Sequence, residues 1–315
     1  MKNIIIAIFI ASVFYTLWFA GSYPKALQYI DTAYRYVGDN FVAALLHKPV
    51  TVAELQNKYD APIRKVRILI MPGHEPDYGG AEYRDLKERD MNVELSEYLV
   101  EFMKKDGHYD VVVARNKQYW NPILANYFNK NWNDIITFVK ESKEETIYLV
   151  NTGKMTKPIT TVYHNKARED VALRLVGINK WSNENNIDIA IHIHFNDYPR
   201  RNASQPGEYS GFSIYVPARQ YMNSTTTKAL AESVFKRLEK YNAVSDFAGE
   251  SGGVIEDGEL IALGVNNTNN APSMLIEYSY IYEPQFEKEE VRKSVIKDLA
   301  FQTYLGLQDF FGDNS

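Results

Sequence analysis

Six histidines and no cysteines occur in the 315 residues, so a metal site here must be built from imidazoles and carboxylates, without thiolates. Two of the histidines stand two residues apart in residues 189–196, I-A-I-H-I-H-F-N. The run is short, apolar and β-branched, as a buried strand is. Side chains alternate along a strand, which puts His192 and His194 on one face. Two imidazoles on an apolar strand need partners: either they hydrogen-bond within a core, or at least one faces a site. Two further segments bear on that choice. Residues 65–71 (K-V-R-I-L-I-M) read as a strand broken by Pro72-Gly73, which places His74 in the loop at its C-terminal end. Residues 271–278 (A-P-S-M-L-I-E-Y) read as another apolar strand with Glu277 near its end. Open α/β sheets bind ligands at such carboxyl ends. Glu88 follows the His74 loop, early in a helical segment. It is either an ordinary first-turn glutamate or a member of the same site.

A catalytic zinc ion takes three protein ligands and keeps one position for water or substrate. Two histidines and one glutamate meet that count. A second glutamate, not bound to the metal, can take the proton from the water. Burial of Glu277 at the end of an apolar strand raises its pKa, as a general base working near neutral pH requires. The plainer alternative for Glu277 is a structural salt bridge or a wet strand end. The H-E-x-x-H helix of many zinc proteases is absent.

The elements that must position these groups follow from hydrophobic period. Helices are expected over 82–105, 122–144, 166–185, 225–241 and 287–311. Strands are expected over 65–71, 108–114, 145–151, 189–196, 211–216, 259–264 and 271–278, with 211–216 placed beside 189–196. Residues 248–255 are glycine-rich and expected to be mobile; they lack the Lys-Ser/Thr pair of a phosphate loop. The aromatic-rich helix over 122–144 reads first as core. Its alternatives are a cap over the site or a partner-binding element. His47, His108 and His164 read as surface, packing or loop residues.

Net charge is −5 and no long basic stripe exists, so a nucleic-acid partner is not indicated. The 23 tyrosines and frequent asparagines suit a wet, sugar-tolerant surface. Residues 4–20 are almost continuously apolar after Lys2, and Ala20-Gly21-Ser22 offers small residues for cleavage. Residues 1–21 are therefore expected to be a membrane anchor or an export signal, with a buried core helix as the alternative. Residues 22–64 are expected to be a helical linker, and 65–312 a single catalytic domain with an insertion at about 116–161.

Several motifs in order resemble the zinc-dependent N-acetylmuramoyl-L-alanine amidases that act on peptidoglycan. A strand runs into Pro72-Gly73-His74, and Glu88-Arg89-Asp90-Met91-Asn92-Val93 leads a helix. Arg174 and Asn179 fit an R-x-x-x-x-N spacing, Asp188 opens the strand that ends in His194-Phe195-Asn196, and Pro272 to Glu277 closes the pattern. The resemblance implies an α/β fold: a mostly parallel twisted sheet flanked by helices on both faces, with the site at the C-terminal strand ends. It implies Zn2+ held by His74, Glu88 and His194, with Glu277 as catalytic base. His192 stands where the family usually has Ser and is a candidate to support the site or touch substrate. Asn196 matches the family's Asn. The implied reaction is hydrolysis of the amide between N-acetylmuramic acid and the L-alanine of the stem peptide, outside the cytoplasm. Alternatives are a zinc hydrolase of another peptide-like amide and a non-catalytic cell-wall binder. Some relatives block the site with a helix until a partner removes it, a part open to residues 122–144. The chain departs from the family at Glu75-Pro76-Asp77-Tyr78, in place of a glycine-rich run, and at 266–270, where an Arg is frequent.

Overall fold

The computed structural model describes residues 48–312 apart from 62, 161–166, 199, 201 and 203. The apolar stretch 4–20, His47 and His164 lie outside the described residues. Among the described residues, no helix is long and apolar enough to cross a membrane.

A six-stranded sheet in the order β4-β1-β5-β8-β6-β7 forms the centre. Its strands are β1 (Val66–Pro72), β4 (Tyr109–Val113), β5 (Ile189–Asn196), β6 (Ser213–Pro217), β7 (Val254–Asp257) and β8 (Ser273–Tyr280). β4, β1, β5 and β8 are parallel. β6 runs antiparallel to β8, and β7 parallel to β6. Among the described residues, six α-helices surround it: α1 (Val52–Tyr59), α2 (Glu88–Asp106), α3 (Pro122–Asn151), α4 (Glu169–Glu184), α5 (Ser224–Leu238) and α6 (Glu289–Phe311).

Strand alternation sorts the core into two layers. Val66, Ile68 and Ile70 of β1 and Ile189, Ile191, Ile193 and Phe195 of β5 face one way, packed with α1, α2, α5 and α6. Leu69, Met71 and Ala190 face the other way, against Leu124, Phe128 and Ile135 of α3 and Ile178 and Trp181 of α4. Gly177 lets these two helices close up, since a Cβ there would lie 2.7 Å from Ile135 Cδ1. By the same alternation, His192, His194 and Asn196 share the face of Ala190.

Four differences from the sequence expectations have physical reasons. β6 does not neighbour β5, because β8 lies between them. Among the described residues, the link from β5 to β6 contains no helix, and the chain turns back antiparallel. A parallel neighbour of β5 needs a crossover, which the helical chain leading to β8 supplies. Residues 145–151 are the last turns of α3 rather than a strand. Ile147 and Tyr148 are exposed there, so the stretch has no buried face of the kind a core strand of this sheet would need. Residues 259–264 form turns, and the strand precedes them as β7 in the glycine-rich segment. Asp257 Oδ1 ends it by accepting from the backbone N–H groups of Glu259 and Leu260 at 2.8 and 2.7 Å. Finally, residues 82–87 form a small hairpin of β2 (Glu82–Tyr83) and β3 (Leu86–Lys87), so α2 begins at Glu88 itself.

Candidate metal centre

β1 ends at Pro72, and the backbone then enters a loop in which His74 has φ +70, a conformation uncommon for a side-chain-bearing residue. The turn aims the imidazole back across the sheet end. Gly73 makes room for it to meet β5: a Cβ there would lie 2.2 Å from His194 Cε1. Gly80, at φ +82, makes room from the other side, where a Cβ would come within 2.8 Å of His74 Cδ2.

Glu88, the first residue of α2, reaches between the two rings. Its Oε1 lies 2.8 Å from His74 Nε2 and 3.0 Å from His194 Nδ1. The same oxygen accepts from the N–H of Phe195 at 3.2 Å, and Oε2 accepts from that of Ala81 at 2.8 Å. One ligand atom from each of His74, Glu88 and His194 lies within 4.8 Å of the others. The His74 contact is close but misaligned, leaving buried Nε2 without a hydrogen-bond partner. Ligand atoms around one tetrahedral ion at bonds of about 2 Å stand roughly 3–4 Å apart. The N, N, O donor set, its spacing and the orphaned nitrogen therefore fit a zinc ion.

Electrostatics agree. Burial alone would raise the pKa of Glu88, but the close approach of His74 and the hydrogen bond from His194 hold it well below the usual carboxylate range. The His194 pKa is lowered by burial, partly offset by Glu88. An ionised carboxylate beside the His194 imidazole, whose proton burial disfavours, is the protonation state that binds a divalent cation.

Glu277 on β8 pairs in register with His194 on β5 and lines the same cleft of about 540 Å³. Burial pushes its pKa well above the ordinary value, helped by the charges of Glu88 and Glu250. Its Oε2 is buried without a hydrogen-bond partner. Asn196 also lines the cleft, and its Nδ2 donates to Glu250 Oε1 at 2.8 Å.

The scan of family models matches residues 68–309 to the model described as N-acetylmuramoyl-L-alanine amidase. The chain belongs to the N-acetylmuramoyl-L-alanine amidase family. No curated protein matches it. Solved structures share the amidase fold. The CwlD amidase of Clostridioides difficile, solved in complex with the GerS lipoprotein, is 16% identical at a TM-score of 0.52, covering 79% of this chain and 99% of that one. Ami1 of Mycobacterium smegmatis is 13% identical at 0.51, covering 81% and 100%.

Within this amidase fold, His192 lies apart from the cleft. It is 2% exposed, does not line the cavity, and burial lowers its pKa to about 3. The substrate-touching alternative for it therefore has no surface to act through. Its folded pKa is depressed below the unfolded value near 6.5. The unfolded chain thus binds more protons between the two values, and stability is lost as pH falls through that window. The loss from this residue is on the order of 4 kcal/mol between about pH 6.5 and 3. Urea unfolding of metal-free protein should show wild type losing stability relative to H192S as the pH falls from 7 to 4. Parallel pH curves would refute it.

Three site residues had no signal in the sequence. Glu250 is buried in the glycine-rich segment and accepts from Tyr215 Oη at 2.6 Å, Ser245 Oγ at 2.5 Å and Tyr280 Oη at 3.1 Å, besides Asn196. Glu75 accepts from Arg174 Nε at 2.8 Å and Trp120 Nε1 at 3.1 Å. Arg115, at the end of β4, binds the carbonyls of Pro72, Gly73, Arg89 and Asn116. The family motif's Asn179 is buried and donates to the carbonyls of Ala262 and Asn266 at 2.8 and 2.7 Å. It pins the loops behind the cleft.

Proposed function

We propose that this chain is a zinc-dependent amidase that hydrolyses the bond between the lactyl group of N-acetylmuramic acid and the L-alanine of the stem peptide. The observation that carries this reading is the convergence of His74, Glu88 and His194 on one point, with Glu277 across the same cleft. A zinc ion held by these three residues would supply a Lewis acid that polarises the amide carbonyl and acidifies a water.

The chain's own residues do the rest. Glu277, ionised above its raised pKa, takes a proton from the attacking water at its carboxylate. It then delivers that proton to the alanine nitrogen as the C–N bond breaks, leaving a lactyl carboxylic acid and a free amine. Glu250, held by four donors, fixes Asn196 and Tyr215 in the cleft wall.

Such an enzyme works where its polymer is, outside the cytoplasm, and residues 1–21 would supply the export signal or membrane tether. Residues 22–64 then link it to a catalytic domain over 65–312. None of the residues lining the cleft belongs to α3, so a regulatory partner acting on that helix would reach the metal through neighbouring residues. Purified cell wall incubated with the zinc-loaded protein should release free stem peptides beginning with an L-alanine amine, detected by mass spectrometry. Release from another amide, or none, would contradict the assignment.

A further inference from the structure

Beside the metal cleft lies a second depression of about 920 Å³, and Glu75 lines both. One wall is α3: Pro122, Ala125 and Asn129 recur every three or four residues on one face, and Trp132 follows the kink at Asn131, where φ is -117 and ψ 21. The other wall is the turn after β4, carrying Gln118, Tyr119 and Trp120.

That turn is fixed. Asn116 Oδ1 accepts from the N–H groups of Gln118 and Tyr119 at 2.8 and 2.7 Å, and Asn116 N donates to Tyr119 O at 3.0 Å. Arg115 and Trp120 then bridge across it. Tyr119 is thereby held 69% exposed on a rigid backbone. The indole of Trp120 is locked by Glu75 Oε2. A tyrosine ring carried on a fixed backbone has only two side-chain torsions to lose on binding, which is how recognition surfaces use it.

The polar groups identify the ligand class. Asp77, Gln118 and Asn129 are exposed at the groove and carry carboxylate and amide groups. These can meet hydroxyls while the rings meet an apolar sugar face. The lining cation, Arg174, is engaged by Glu75 and Asp170 at 2.8 and 2.7 Å. An anionic peptide would therefore find its charge already matched. A neutral saccharide needs no cation.

The geometry points to this groove as the site that holds the glycan strand next to the scissile amide, a role that rests on the amidase reading above. The occupant is a pyranose chain running from the cleft past Glu75 onto Tyr119 and the α3 wall that includes Trp132.

The test uses the zinc-loaded full chain and peptide-free oligosaccharides of alternating N-acetylglucosamine and N-acetylmuramic acid whose lactyl carboxyls are capped as primary amides, which keeps the probe neutral. Calorimetric titration should show saturable binding, weakened about tenfold in Y119A and in the exposed-residue variant Q118A/N129A. The ratio of kcat/KM on long glycan chains to that on a single muramoyl-peptide should fall by a similar factor. Absent glycan binding, equal binding by both variants, or displacement of the glycan by free stem peptide would overturn the groove. Glycan binding that both variants weaken, with no amide cut by wild type, supports the groove and counts against the amidase reading.

Discussion

E277Q is expected to lower kcat by about 10²–10⁴-fold while leaving zinc binding intact. The side chain lies across the cleft from the three donor groups and is not among them. Gln keeps its size and removes only the ability to take up and return a proton. The pH profile supplies a second reading of the same residue. Burial raises the Glu277 pKa, so the active, ionised form accumulates only at pH values above the ordinary carboxylate range. The wild-type rate should therefore climb with pH along a limb that the residual activity of E277Q lacks. Steady-state kinetics at several pH values, with metal content measured on the same samples, checks both. Full activity in E277Q would remove Glu277 from the chemistry.

R115M is expected to cost about 3–5 kcal/mol of folding stability and to weaken zinc binding as well. Arg115 is 2% exposed, and its guanidinium is spent on four backbone carbonyls. Burial lowers its pKa to about 10, against the attraction of Asp90, Glu75 and Glu88, and it remains charged at neutral pH. Two of its acceptors are the Pro72 and Gly73 carbonyls directly before His74. A third is the Arg89 carbonyl directly after Glu88. One side chain thus ties together the loop and the helix that carry two donors. Methionine fills the space and leaves those carbonyls without their donor. Lysine cannot span the same fork, so R115K should recover little. Urea unfolding reads the stability, and zinc titration reads the displacement. An unchanged midpoint in R115M would show that the carbonyls find other donors.

The strands that carry the site were readable because their signal is local. β1 and β5 are apolar runs ended by Pro-Gly and by Asn, β8 is an apolar run that carries Glu277 and continues to Tyr280, and alternation alone put His192 and His194 on one face. What local pattern could not decide was where each strand sits. The segments 145–151 and 259–264 have strand-like composition, yet the first continues α3 and the turn at Asp257 ends the strand before the second. The same limit applied at the cleft. Glu75 meets Arg174 from 99 positions away, and Glu250 meets Asn196 from 54. Neither acid differs in its sequence neighbourhood from a surface residue. His192 and His194 show the converse. The sequence makes them equivalent, but within β5 only His194 reaches the cleft, while His192, two residues earlier, is buried in the sheet.

The most direct measurement is a zinc titration of the metal-free protein by calorimetry, with E277Q and H194A alongside. Wild type and E277Q should each bind one zinc ion per chain, and H194A should lose at least two orders of magnitude in affinity. A wild-type protein that takes up no stoichiometric zinc, or an H194A protein that binds it as tightly as wild type, would contradict the proposed metal centre.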